Sequence, residues 1–130
     1  MEPAADRDAF YLTLMSEALT DLERRLQHND MNAFLADRDE QALTAFRLSI
    51  IGENANKLSD ELKARNPDMP WAAMYSFRNV VSHEYHRVSP ERAWEAVENL
   101  PTIAEFVRAE LIRAAVIERQ ERDIDKGRGR

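Results

Sequence analysis

Glycine is the scarcest structural resource in this sequence. Only three occur in 130 residues, and two of those fall in the last four positions. Sheet proteins need turn residues at most strand ends, so a chain this short of them points to helices. Five prolines, at positions 3, 67, 70, 90 and 101, serve as punctuation between long uninterrupted stretches. Apolar residues make up 44% of the chain, enough for one core in one domain of this length. The expected fold is therefore all-α, an antiparallel bundle of four to five helices.

Hydrophobic spacing places the helices. A first one is expected from about Asp8 to Gln27, with Tyr11, Met15, Ala18, Leu22 and Leu26 on one stripe and Asp6 or Asp8 as its cap. A short piece from Met31 to Ala36 carries Phe34 and Leu35. Asp37 with Glu40 resembles a capping box and opens a long helix to Arg65. Its buried stripe reads Leu43, Phe46, Ile50, Leu58 and Leu62. Gly52 interrupts it at a cost of about 1 kcal/mol, a residue that often marks the close approach of another helix. Asn66-Pro67 ends the run. A third helix is expected from Trp71 to Tyr85. Ser89-Pro90-Glu91 starts a fourth, with Trp94, Val97, Leu100, Ile103, Val107 and Leu111 facing inward and Pro101 kinking it. The bundle domain spans residues 1–117. Residues 118–130 form a charged tail, expected to fray or lie disordered, that ends Lys126-Gly127-Arg128-Gly129-Arg130.

Composition also removes function classes. The chain has no cysteine, hence neither disulfides nor thiolate chemistry. No apolar run approaches the roughly 18 residues of a membrane span, and the first residues do not read as a signal peptide. The expected location is cytoplasmic, with no membrane partner. A net charge of −6 argues against broad electrostatic capture of nucleic acid, so an RNA-binding role would need a local basic patch or a partner.

The chemically distinctive stretch is Arg78-Asn79-Val80-Val81-Ser82-His83-Glu84-Tyr85. At about 100° per residue, Arg78, Ser82 and Tyr85 lie near one line of a helix, with Asn79 and His83 on a second line beside it. Arg78 and His83 then stand about 140° apart. They would converge only across a two-fold dimer, or if the helix loosens before His83. Arginine offers phosphate a fixed fork of donors, and histidine exchanges protons near neutral pH. Metal-free RNA cleavage needs a group to take the 2′-hydroxyl proton and a cation to stabilise the charged phosphate. Asn79, one turn before His83, can orient the ring or bind substrate. Plainer roles stay open: Arg78 can pair with Glu53 or Glu84, His83 can cap a helix end, and Tyr85 can simply pack. His83 and His86 one turn apart can be two metal ligands, but no cysteine or suitably spaced carboxylate completes a set. No cofactor is called for.

Arginine, a polar residue, three more residues, histidine, any residue and tyrosine resembles the motif of the HepT family of HEPN-domain ribonuclease toxins. Ile50-Ile51-Gly52-Glu53-Asn54-Ala55 resembles a second segment of that family, Pro70-Trp71 before Arg78-Asn79 a third, and Val88-Ser89-Pro90 with Trp94 a fourth. The likeness covers roughly residues 8–115. Asn54 replaces the family's usual alanine, on what is expected to be a helix surface. The resemblance implies a homodimer with Arg78 and His83 of both copies lining a cleft at the interface. It implies a metal-independent endoribonuclease toxin of a type VII-like toxin–antitoxin pair, acting on cellular RNA. The implied antitoxin is a small nucleotidyltransferase that transfers AMP from ATP to Tyr85. Ser82, Asn79 and Glu53 are supporting candidates. The alternative is a HEPN-type module that cleaves nothing and binds substrate or nucleotide for a partner nucleotidyltransferase.

Overall fold

The computed structural model describes residues 4–81 and 87–128. Among the described residues seven helices follow in order: α1 (Ala4–Leu26), α2 (Met31–Leu35), α3 (Arg38–Lys57), α4 (Asp60–Arg65), α5 (Trp71–Ser76), α6 (Pro90–Glu98) and α7 (Leu100–Arg128). One 3-10 turn, Phe77–Asn79, extends α5. Among the described residues there is no β-strand, only an isolated antiparallel bridge between Val81 and Val88. The all-α expectation holds.

Helices α1, α3 and α7 form the body of the bundle, with α5 and its 3-10 turn packed on α3. Polar ties fix the directions. Asp8 meets Ser59, Asp21 meets Arg47 and Arg25 meets Glu40, so α1 and α3 run antiparallel. Leu12, Met15, Leu19 and Leu22 of α1 are buried against Leu48 and Ile51 of α3 and Ile103 and Val107 of α7. Phe34 is fully buried and stacks on Trp94 at 5.2 Å, which ties α2 to α6. Trp71 meets Phe106 edge-on at 5.4 Å. Both tryptophans are thus packing residues.

Helix α3 departs from the expected stripe. Its inward face is Gln41, Thr44, Ala45, Leu48, Ile51, Gly52 and Ala55, while Leu43 and Phe46 point outward, Phe46 with 63% exposure. Close packing asks for small residues such as Ala45, Gly52 and Ala55 beside Leu48 and Ile51, and Leu43 and Phe46 fall outside this face. The polar members of this face have work there. Gln41 Nε2 donates to the carbonyls of Phe34 and Leu35 at 2.9 and 3.1 Å, closing the end of α2. Asn54, expected on the surface, is buried and returns its amide to the Ile50 carbonyl at 2.8 Å. Thr44 is fully buried, and its hydroxyl has no partner among the described residues. Thr44→Val keeps the shape and removes an unmet polar group. It is expected to stabilise the fold by about 1 kcal/mol, raising the melting temperature by about 3–5 °C in a thermal scan.

Contacts at the helix ends also differ from expectation. Asp37 caps α3 through the Glu40 amide at 3.0 Å, but Glu40 does not reach back to complete a capping box. Its carboxylate instead takes a two-point contact from Arg25 at 3.0 and 2.9 Å. The helix expected to run to Arg65 stops at Lys57. Ser59 caps α4 through the Leu62 amide, and Asp8 accepts from the Ser59 amide and hydroxyl at 2.8 and 2.6 Å. Asp8 therefore pins the α3–α4 break rather than capping α1. Because these bonds end on a buried carboxylate, Asp8→Ala is expected to cost about 2 kcal/mol, read as a lower urea midpoint with unchanged slope.

Pro101 does not kink a continuing helix. The chain turns at Asn99, whose amide donates to the Ala96 and Val97 carbonyls, and Pro101 sits in the first turn of α7, where a missing N–H costs nothing. The segment from Glu118, expected to fray, continues α7 as helix to Arg128. Residues 118–127 are exposed, so solvated charge rather than packing supports them. Glu118 and Arg122 stand four residues apart in the favourable order, and Lys126 lies near the negative end of the helix dipole. No helix among the described residues is long and apolar enough to cross a membrane.

Candidate active site

Arg78 and Asn79 are presented by a short, tightly held turn. In a 3-10 helix residues three apart eclipse one another. Phe77 and Val80 are both buried, and this turns Arg78 and Asn79 between them toward solvent. The backbone of α5, just before the turn, rests on α3 at Gly52. A Cβ added there would lie 2.7 Å from the Met74 carbonyl oxygen and 3.4 Å from both Phe77 Cβ and Arg78 Cγ. Gly52 thus marks the close helix approach its sequence position suggested, and the aliphatic stem of Arg78 runs beside it. Among the described residues Arg78 forms no ion pair within 4.0 Å. Glu53, next to Gly52, is exposed and does not bridge to it.

The helix expected to carry the whole motif ends early. Regular α-helix stops at Ser76, the 3-10 turn stops at Asn79, and Val81 already pairs with Val88. The Ser89 amide donates to the Val80 carbonyl at 2.7 Å, drawing the two flanks together. β-Branched valines suit this extended pairing better than a helix. The 140° separation of Arg78 from His83 therefore has no helix to rest on. Ser82, His83 and Tyr85 lie outside the described residues.

On the other side of Val80, α5 and its 3-10 turn face α6 across a cleft of about 840 Å³. Asn79 stands on one wall, and Arg92, Glu95 and Asn99 stand on the other. The α6 residues were missed by sequence reasoning. Their spacing of three and four places them on one helix face, but the neighbouring Trp94 and Val97 drew attention to the opposite, packed face.

The Ribonuclease HepT-like family matches residues 15–110. The chain belongs to the HepT-like ribonuclease family. It is 29% identical over 94 residues to a protein of Thermococcus cleftensis named "Probable ribonuclease HepT", covering 72% of this chain and 86% of that one. A Methanocaldococcus jannaschii protein named as an RNase, MJ1380, is 26% identical over 103 residues, covering 78% and 94%. A second from that organism, MJ0127, also named as an RNase, is 32% identical over 73 residues, covering 55% and 60%. No solved structure matches the chain. Membership in the HepT-like family supports an RNA endonuclease. The matched span contains Gly52, the Arg78 turn and the whole segment through Tyr85.

Proposed function

We propose that this HepT-like protein is a metal-independent endoribonuclease toxin whose reacting groups are Arg78 and His83. The observation that carries the reading is the Arg78 turn. The aliphatic stem of Arg78, an exposed residue without an acidic partner among the described residues, is held beside Gly52, one residue from Asn79 and three residues before the bridge that flanks His83 in the chain. The chemistry is internal transesterification. The 2′-hydroxyl oxygen attacks the adjacent phosphorus, the bond from phosphorus to the 5′ oxygen breaks, and a 2′,3′-cyclic phosphate and a 5′-hydroxyl result. His83 takes the 2′ proton, and an imidazole from the second copy returns one to the departing 5′ oxygen. Arg78 binds the phosphate oxygens as charge gathers on them. Asn79 orients substrate from the same turn.

The active form is a homodimer with these groups at its interface. Leu43, Phe46 and half-buried Ile50 form an outward apolar row along α3, and the row leads to Glu53 beside Gly52 and the Arg78 stem. An apolar row so placed favours a second copy that brings its own Arg78 near. Phe46→Arg buries an unpaired charge in such a contact. It is expected to raise the dimer dissociation constant roughly thirtyfold, some 2 kcal/mol, read by light scattering across a dilution series.

The antitoxin is a small nucleotidyltransferase that modifies Tyr85. The phenol oxygen attacks the α-phosphorus of ATP, pyrophosphate leaves, and AMP remains on the tyrosine. Its added bulk and negative charge would occupy the phosphate site and repel RNA. Expression of the wild type and of His83→Ala in bacteria without a partner gene tests the toxin reading. Growth arrest with RNA breakdown is expected for the wild type alone, and equal growth with intact RNA in both would overturn it. One observation favours the competing reading, a module that binds for a nucleotidyltransferase without cleaving. A net charge of −6 repels RNA at long range. That reading predicts a stable complex with the nucleotidyltransferase and no effect of His83→Ala.

A further inference from the structure

We infer that the cleft between α5 with its 3-10 turn and α6 seats one nucleotide of the RNA strand beside the cleaved bond, with Arg92 on a phosphate and Glu95 on the amino edge of the base. The inference rests on the RNA-cleaving reading and adds the residues that select sequence. The cleft exists because both walls carry small side chains where a packed helix pair would carry large ones. Ala73 and Ser76 face Ser89 and Ala96, and the gap they leave stays unfilled. Its volume of about 840 Å³ falls in the range of sites that enclose small molecules. Buried Phe77 and Val80 give it an apolar floor, while Arg92, Glu95 and Asn99 stand exposed around it. An apolar floor with a charged rim suits a base face and its phosphate.

The cleft adjoins the motif along the chain. Asn79 belongs to it and directly follows Arg78 in the turn. Val81 also belongs to it and stands two residues before His83. A strand whose phosphate lies on Arg78 would lay its neighbouring nucleotide here. Arg92 is exposed and makes no ion pair within 4.0 Å among the described residues, and its planar guanidinium suits a phosphate. It puts a positive charge in the cleft, beside the turn that carries Arg78, and a chain of net charge −6 needs such local charge in order to hold RNA. Glu95 has the opposite preference. An ionised carboxylate only accepts hydrogen bonds and repels phosphate, so it would face base donors. Cytosine and adenine present an exocyclic amino group, whereas uracil presents carbonyl oxygens on both sides of its one N–H. The cleft therefore favours amino-bearing bases over uracil.

Fluorescence anisotropy with single-stranded oligo(A), oligo(C) and oligo(U) RNA tests this. Full-length His83→Ala protein serves as the background so that the RNA stays intact. Arg92→Ala is expected to weaken binding of all three about tenfold and to reduce the salt slope by about one. Glu95→Gln is expected to remove a preference for oligo(A) and oligo(C) over oligo(U) of about tenfold. Unchanged affinity and salt slope in Arg92→Ala would overturn the phosphate assignment. Equal binding of the three RNAs before the Glu95 change would overturn the base assignment. If the same substitutions weakened only capture of a protein partner, the cleft would belong to that partner and the inference would fall. RNA cleavage by otherwise wild-type protein separates the two readings. Cleavage that persists with an unchanged cut-site pattern in both variants sinks the cleft alone. Absent cleavage with Arg92-dependent binding sinks the nuclease alone.

Discussion

Arg78→Ala is expected to lower the rate of RNA cleavage about 1,000-fold, the range found when a group that stabilises a transition-state charge is removed. The fold should hardly notice. Arg78 is exposed, and among the described residues it has no ion pair to lose. The melting temperature is therefore expected to stay within a few degrees. Lysine at this position should recover only a small part of the rate. An ammonium restores charge but not the planar fork that holds two phosphate oxygens at once. Single-turnover cleavage of a defined RNA, with a thermal melt of each variant, reads both quantities. A rate within tenfold of wild type for Arg78→Ala would remove Arg78 from the chemistry.

Gly52→Ala is the second large effect, and two contributions of opposite sign decide it. Alanine improves helix propensity at an interior position by about 1 kcal/mol. Its Cβ would meet the Met74 carbonyl oxygen at 2.7 Å, with Phe77 and Arg78 at 3.4 Å behind it. The obstacle is backbone, so α5 and its turn must move away from α3. Overpacking of this kind costs about 1–3 kcal/mol, so the net expectation is a destabilised protein. The turn that moves is the one that aims Arg78, and a misplacement near 1 Å can cost about 100-fold in rate. A lowered melting temperature together with a rate loss of that size is expected. A more stable protein of full activity would show that the close approach of α5 to α3 is not needed.

Much of this architecture is legible in the sequence. The cap at Asp37 forms where aspartate precedes a helical run, and the helical stripes of α1 and α7 are buried as spacing predicts. Helix α3 misled because its inward face mixes small and polar residues with Leu48 and Ile51, so Leu43 and Phe46 looked like core while Thr44 and Gln41 occupied it. What period-counting cannot see is tertiary demand: the gap that α5 must fit, and the carboxylate of Asp8 reaching 51 residues ahead to break a helix at Ser59. The site followed the same division. Arg78 and Asn79 stand out by residue type, and Gly52 by its isolation. The early end of the motif helix could not be read from periodicity, because Val80 and Val81 continue an apolar pattern while pairing away from it. Arg92, Glu95 and Asn99 become visible only when α6 is set opposite α5.

The most direct test of the account is the chemical identity of the cut ends. Purified protein incubated with RNA in excess EDTA is expected to leave 2′,3′-cyclic phosphate on one fragment and a free 5′-hydroxyl on the other, with both products formed far more slowly by Arg78→Ala and by His83→Ala. Fragments ending in 5′-phosphate, or cleavage that stops when EDTA is added, would contradict attack by the 2′-hydroxyl with Arg78 and His83 as the reacting groups.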